Sequence, residues 1–238
     1  MKNIALIGST GSIGVQTLSV VRRNPDMFKV CCLVAHSSAD KFSEQLREFK
    51  PATAAMVSGA AVEAAAGTKL FAGEEGALAA LCQSSPDIVV VACGGFAGLK
   101  YSLAALKAGA RLALANKETL VCGGDVVMRT GGEIVPVDSE HSAIWQCLAF
   151  NRRAPFKNLI ITASGGPFRD KSFEELERVT PEQALAHPTW HMGAKITIDS
   201  ATLLNKGYEV IEAHHLYGAD YSSIKTVIQP QSIIHSMV

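Results

Sequence analysis

Along this chain, short continuous apolar runs alternate with stretches in which apolar residues recur every three or four positions. The runs read as strands buried on both faces, and the stretches between them as amphipathic helices. Residues 3–7 form the first strand. Val15, Leu18, Val20 and Val21 then follow at helical spacing until Asn24-Pro25 ends the helix. The same reading predicts a strand over 28–35, a helix over 41–49, a strand over 53–57, a helix after Gly59 and another over 75–82. Strand 88–92, helix 99–108 and strand 111–115 continue the series, and Val135-Pro136-Val137 closes a further apolar segment. A βαβ alternation of this kind predicts an α/β fold, a Rossmann-like doubly wound parallel sheet.

The second part of the chain is less regular. It predicts an apolar helix over 144–150, a basic turn at Asn151-Arg152-Arg153 and a strand over 159–162. A short helix starts at Thr180-Pro181-Glu182 and ends at His187-Pro188, where proline disfavours helix in the residue before it, and a strand is expected over 196–198. The expected division is a nucleotide-binding domain over 1–149 and an α/β (α+β) catalytic domain over 150–238.

Composition narrows the class. The 238 residues are 48% hydrophobic, and 22 basic side chains balance 22 acidic ones. A folded globular protein is expected, with no nucleic-acid or anionic-membrane surface, and no apolar segment reaches the roughly 20 residues that span a bilayer. The six cysteines are scattered without a C-x-x-C pair, so neither a zinc site nor a disulfide framework is written in them. Residues 3–7 already read as a strand, and a cytoplasmic protein is the expectation.

Candidate chemistry begins at Gly8-Ser9-Thr10-Gly11-Ser12-Ile13-Gly14, a glycine turn between the first strand and its helix. Glycines there permit unusual dihedrals and let backbone N–H groups approach a diphosphate at the positive end of the helix. The second strand ends in His36-Ser37-Ser38, with no carboxylate at its tip for a ribose 2′-hydroxyl. Ser37, Ser38 and Lys41 favour a 2′-phosphate, hence NADP, although Asp40 also suits a helix cap. Asn116-Lys117-Glu118 reads equally as a helix start or a cofactor contact.

Asp138 and Glu140 flank Ser139 at the end of a strand. If the chain stays extended, both carboxylates share one face and suit a hard divalent cation, whereas the same residues also suit a helix N-cap. Ser164-Gly165-Gly166-Pro167-Phe168 is a second glycine turn, suited to phosphate or to a plain turn. His187-Pro188-Thr189-Trp190-His191-Met192-Gly193 has the composition of an active-site lid, set against a tryptophan packed under its own loop. Ser200, Asn205 and Lys206 are donors for a phosphate, and Glu209 is a third carboxylate.

Taken in order, these motifs, with Asp199-Ser200-Ala201-Thr202 and Pro230-Gln231-Ser232 to Val238, closely resemble the 1-deoxy-D-xylulose 5-phosphate reductoisomerase family over essentially the whole chain. The resemblance implies an NADPH-dependent and Mg²⁺- or Mn²⁺-dependent enzyme. It would convert 1-deoxy-D-xylulose 5-phosphate to 2-C-methyl-D-erythritol 4-phosphate in non-mevalonate isoprenoid synthesis, as a homodimer. It implies Asp138, Glu140 and Glu209 as metal ligands and Ser139 as a substrate contact beside the metal. It also implies Ser164, Ser200, Asn205 and Lys206 at the substrate phosphate, and His187, Trp190 and Met192 in a closing flap. His235 matches an active-site histidine. Thr10, Gly11, Ser12, Ile13, Asn116, Lys117, Glu118 and Gly193 match cofactor contacts, and Ser37 is the candidate at the 2′-phosphate.

The chain departs from the family pattern at His36-Ser37-Ser38, where a Gly-Arg/Lys-Asn tip is common, and at Gln229, where histidine is usual. The family also continues into a C-terminal helical domain, whereas this chain ends at Val238. Two alternatives are a non-catalytic NADP-binding module and, more distantly, an oxidoreductase with Cys93 as nucleophile.

Overall fold

The structure, a computed structural model, describes residues 1–149, 155–190 and 192–238. The chain forms two compact units, Met1–Val137 and Asp138–Val238. The expected boundary at 149/150 therefore moves back to 137/138. The helix after Asp138 belongs to the second unit because its Ile144 is fully buried with Leu159, Ile161 and Ala213.

The first unit runs β1 (Lys2–Ile7), α1 (Ser12–Arg23), β2 (Phe28–Ala35), α2 (Ala39–Phe49), β3 (Thr53–Met56), β4 (Lys69–Ala72), α3 (Gly73–Gln83), β5 (Ile88–Val91), α4 (Gly98–Lys107), β6 (Arg111–Leu114), α5 (Lys117–Thr130) and β7 (Ile134–Pro136). Its seven strands are ordered β4-β3-β2-β1-β5-β6-β7, and every neighbouring pair is parallel. The central strands are closed to solvent on both faces, as their unbroken apolar runs require: Ala5, Leu6, Ile7, Val89 and Val91 are fully buried. Leu18 of α1 and Phe42 and Leu46 of α2 pack on the sheet against Leu6, Leu33 and Met56. Strand order reverses between β1 and β5, so the crevice at their carboxyl ends is where a Rossmann-like fold receives its ligand.

The first unit differs from expectation between β3 and α3. No helix follows Gly59; residues 60–68 are irregular and lead into edge strand β4, which pairs with β3. The alanine-rich stretch lays only Val62 and Ala64 on the core, two apart rather than at helical spacing, and it lies between Gly59 and Gly67, both at positive φ.

The second unit runs α6 (Ser139–Ala149), β8 (Leu159–Ala163), α7 (Phe173–Leu176), α8 (Pro181–Leu185), α9 (Ala194–Ala201), α10 (Leu204–Tyr217), a 3₁₀ turn at 221–223, β9 (Ile224–Ile228) and β10 (Ser236–Met237). Strand β8 lies between parallel β9 and antiparallel β10. Ala213 and Val210 of α10 and Ile144 of α6 pack on β8.

The strand expected over 196–198 is instead the middle of α9. Ile-Thr-Ile favours strand by propensity, but Lys195 pairs with Asp199 one turn on at 2.6 Å, and the Thr197 hydroxyl donates to Gly193 O. Thr197 and Ala201, four apart, are the buried positions. The short α7 was not foreseen, although Ser172 and Glu175 form a capping box at its start; Thr180 and Gln183 do the same for α8. Phe150 and the basic turn Asn151-Arg152-Arg153 lie outside the described residues, as does His191.

Candidate active site: a dinucleotide cradle and a carboxylate cluster

The turn from β1 to α1 is closed by its glycines. Gly8 has φ +89°, and a Cβ there would stand 2.8 Å from the Ala92 carbonyl carbon. At Gly14 a Cβ would stand 2.3 Å from Gly8 O. Gly11 is different: its φ is −74°, and an added Cβ meets Gly8 O at an ordinary 3.4 Å. The outer glycines let the turn fold, and the middle one leaves its outer face clear. Gly11 caps α1 without a side-chain bond, and no acidic residue stands in the first turn. The N–H groups around Ser12 and Ile13 thus present the positive end of the helix.

Beside this turn lies a cavity of about 410 Å³, lined by Thr10, Gly11, His36, Cys93, Gly94 and Tyr101 among others. Ser37 is exposed at the β2 tip next to His36. Lys41 donates to Thr10 O at 2.8 Å and so tethers the cradle.

Asn116 is 1% exposed, and its side chain is committed within the fold. The amide nitrogen donates to Cys93 O, Gly95 O and Glu118 Oε2, while Oδ1 caps α5 by accepting from Thr119 N. Asn116 therefore fixes the turn after β5, and Lys117 and Glu118 open α5. Sequence reading missed Glu74 and Tyr101 in the cavity wall, since only tertiary folding brings α3 and α4 to it. Glu74 pairs with Lys100 at 2.6 Å, and that hydrogen bond holds its carboxyl below the usual range. Burial pushes the Cys93 thiol up to about 11, which argues against a nucleophilic thiolate.

The second unit gathers the predicted carboxylates. Oxygens of Asp138, Glu140 and Glu209 all lie within 4.8 Å of one another. They do not meet by strand alternation, as the spacing suggested. Asp138 ends the extended segment and its carbonyl accepts from Ser142 N, so Ser139 and Glu140 are already in the first turn of α6. The cap and the cluster use the same residues: main chain for one, side chains for the other. Ser139 Oγ donates to Glu140 Oε2 at 2.8 Å.

Glu209, 1% exposed, projects from α10, where Asn205 donates to its Oε1 at 2.6 Å and Lys206 Nζ donates to its Oε2. The same ammonium donates to Thr162 O at the end of β8 and lies 3.6 Å from Glu140 Oε1. Lys206 is thus placed among the carboxylates rather than in an open anion site.

Asp138 also belongs to a second group. Its carboxylate, the fully buried His141 and Glu212 have ligand-type atoms within 4.8 Å of one another, with His141 Nε2 3.4 Å from Glu212 Oε2. Tyr217 OH donates to His141 O at 2.5 Å. Burial pushes that phenol far up, and the charges of Asp138 and Glu212 add to the effect. Sequence reading missed Glu212, although its place three residues after Glu209 puts both on one face of α10.

The glycine turn after β8 holds Ser164, which is buried. Gly166 at φ +70° lies so close to α9 that a Cβ would stand 2.7 Å from Ser200 O, which brings Ser164 and Ser200 to one corner. His187 Nε2 lies 3.4 Å from Ser164 Oγ, while its Nδ1 accepts from Thr189 N at 3.1 Å and Trp190 N at 3.0 Å. Nδ1 is therefore the unprotonated nitrogen. Burial, with Arg169 nearby, pushes the imidazole below its usual 6.5. Trp190 is 42% exposed, its ring 6.2 Å from that of His235, so it does not pack beneath its own loop. Gly193 is the N-cap of α9 with open space at its Cα.

Comparison with known proteins points to one family. The family model for 1-deoxy-D-xylulose 5-phosphate reductoisomerase matches residues 4–124, and that for the C-terminal domain of the same enzyme matches 134–217. A reductoisomerase of Desulfitobacterium hafniense (strain DSM 10664 / DCB-2) is 52% identical over 100% of this chain and 65% of its own length. One of Gloeobacter violaceus is 51% identical over 100% and 64%. A crystal structure of DOX-P reductoisomerase in complex with NADPH, fosmidomycin and magnesium superposes with a TM-score of 0.88 at 39% identity, over 99% of this chain and 63% of that one. The Zymomonas mobilis enzyme in complex with NADPH gives 0.86 at 37% identity, over 99% and 63%. The chain thus spans just under two thirds of the length of these relatives.

Proposed function

Because the chain belongs to the 1-deoxy-D-xylulose 5-phosphate reductoisomerase family, we propose that it serves the NADPH- and divalent-metal-dependent conversion of 1-deoxy-D-xylulose 5-phosphate to 2-C-methyl-D-erythritol 4-phosphate. The observation that carries the reading is the convergence of Asp138, Glu140 and Glu209, an all-oxygen donor set suited to Mg²⁺ or Mn²⁺. Relatives solved with NADPH and magnesium support both groups. The dinucleotide would lie on the cradle, where an added Cβ at Gly11 makes only ordinary contacts with Gly8 O and Ala92 O and leaves the outer face for the ligand.

Held by the three carboxylates, the metal would supply Lewis-acid polarisation of the substrate's ketone and adjacent hydroxyl oxygens, and the reduced nicotinamide would supply hydride. The chain's own residues supply position. Asp138, Glu140 and Glu209 would hold the metal, with Ser139 and Asn205 fixing two of the carboxylates. Ser164 and Ser200, with Asn205 and Lys206, would anchor the substrate phosphate away from the reacting carbons. The segment of His187, Trp190 and Met192 would close over the substrate and exclude water, with the His235 ring 6.2 Å from that of Trp190. Thr10, Gly11, Ser12 and Ile13 would take the diphosphate, Ser37 the 2′-phosphate, Asn116, Lys117 and Glu118 the turn beside the cavity, and Gly193 the nicotinamide side.

Among the described residues no helix is long and apolar enough to cross a membrane. A cytoplasmic homodimer completes the proposal. Its test is NADPH oxidation with the ketose phosphate and Mg²⁺: turnover abolished by chelation and by Asp138→Asn is expected. NADPH binding without turnover selects a non-catalytic NADP-binding module instead, and chelator-resistant turnover removes the metal reading.

A further inference from the structure

Glu209 has both carboxylate oxygens engaged from its own helix: Oε1 by the Asn205 amide and Oε2 by the Lys206 ammonium. The two partners are not equivalent toward a cation. A neutral amide on one oxygen orients the carboxylate and leaves its charge available. An ammonium on the other neutralises that charge and lies 3.6 Å from Glu140 Oε1 as well. Lys206 therefore sits against two of the three carboxylates that gather around one point. A divalent ion bound to the same oxygens would stand within a few ångströms of a fixed positive charge, and beside the buried Glu209 and Lys206 that repulsion is less screened than in open water. Both cations cannot hold Glu209 Oε2 together.

We propose that Lys206 is the internal counter-cation of the carboxylate cluster, and that divalent metal and the Lys206 ammonium exchange on Glu209, freeing the lysine for the substrate phosphate only when metal is in place. The proposal rests on the metal reading above and adds an order to it. Thr162 O, the lysine's third partner, lies on β8 two residues before Ser164, so an ammonium released from Glu209 remains tethered at the strand end that leads into the Ser164-Gly165-Gly166 turn. Gly166 brings that turn against Ser200. The lysine thus stands between a carboxylate cluster and a corner of hydroxyl and backbone donors, and the metal decides which it serves. Without metal, the ammonium keeps a buried carboxylate compensated, which an empty cluster of like charges would lack.

The test uses the whole protein with ¹⁵N-labelled lysine. The Nζ signal of Lys206, assigned by its loss in Lys206→Gln, is expected to be protected in metal-free protein. It should shift or vanish at the Mg²⁺ concentrations that saturate binding measured by calorimetry. Mg²⁺ binding that leaves this signal unchanged overturns the exchange and leaves the metal site standing. Absence of a protected Lys206 signal before metal is added also overturns it. Failure to bind Mg²⁺ overturns the metal reading, and the exchange with it. Independently, Lys206→Gln should bind Mn²⁺ roughly tenfold more tightly than wild type by paramagnetic resonance of the free ion. Its melting temperature without metal should fall, and the rise on adding metal should grow. Equal or weaker Mn²⁺ affinity in the variant contradicts the exchange.

Discussion

The side-chain amide of Asn205 donates to Glu209 Oε1 at 2.6 Å across one turn of α10. Its partner is 1% exposed, so the bond aims a carboxylate that water cannot reach to aim. Outer-sphere partners of this kind set ligand orientation. Asn205→Ala should therefore weaken Mn²⁺ binding by roughly 10- to 100-fold. Titration of free Mn²⁺ by paramagnetic resonance measures it, and unchanged affinity would show that the amide does not position Glu209.

Removing the carboxylates should separate metal binding from stability. Glu209 is buried and compensates Lys206, so Glu209→Ala should abolish metal binding and cost about 3–5 kcal/mol, because an ammonium is left buried. The Glu140 side chain is 16% exposed and shares its charge less closely with Lys206. Glu140→Gln should also abolish metal binding, at a cost of about 1 kcal/mol or less. Denaturant unfolding of both variants, read beside Mn²⁺ titration, tests the contrast; equal stability losses would contradict it.

The glycine turn allows a similar separation. Gly14→Ala places a Cβ 2.3 Å from Gly8 O and 2.5 Å from Ser9 O, which should cost about 1–3 kcal/mol and distort the turn. Gly11→Ala fits the fold, with its Cβ 3.4 Å from Gly8 O, and should change stability by about 1 kcal/mol or less. It should nonetheless lower NADPH affinity by about tenfold or more, since a methyl then stands where backbone must approach a diphosphate. Calorimetric NADPH binding with thermal melts distinguishes the two. A Gly11→Ala protein that binds NADPH normally would place the diphosphate elsewhere.

His187 should titrate below 6.5 and carry its proton on Nε2, because Nδ1 accepts two backbone N–H groups and burial disfavours the charge. Its folded pKa is depressed. As pH falls through 6.5 the unfolded chain takes up a proton that the folded chain resists, and stability is lost in that window down to the folded pKa. Protonating Nδ1 also removes the acceptor that shapes the turn at Thr189 and Trp190. Imidazole ¹⁵N shifts against pH measure both properties, and a pKa above 6.5 or an Nδ1–H tautomer would contradict them.

The first unit was legible in sequence because its strands are unbroken apolar runs and its ligand turn is local, from Gly8 to Gly14. Its failures were local too: the 60–68 stretch has no period to read, and edge strand β4 is short. The second unit was harder. Ile196-Thr197-Ile198 looks like a strand until the Lys195–Asp199 pair and the burial of Thr197 and Ala201 are seen. The gathering of Asp138, Glu140 and Glu209 was expected from family resemblance, but the reason the first two meet was not legible. A helix start, rather than an extended strand, brings them together. Roles that depend on tertiary neighbours were hidden: Asn116 committed to the turn at Cys93 and Gly95, Lys206 held by carboxylates, and Glu212 beside His141.

The most direct measurement is anomalous diffraction from crystals of the protein soaked in Mn²⁺. A single strong peak bonded to one oxygen each of Asp138, Glu140 and Glu209, with the Lys206 ammonium withdrawn from Glu209, is the expected result. A peak held instead by Asp138, His141 and Glu212, or no ordered ion while Lys206 stays on Glu209, would contradict it.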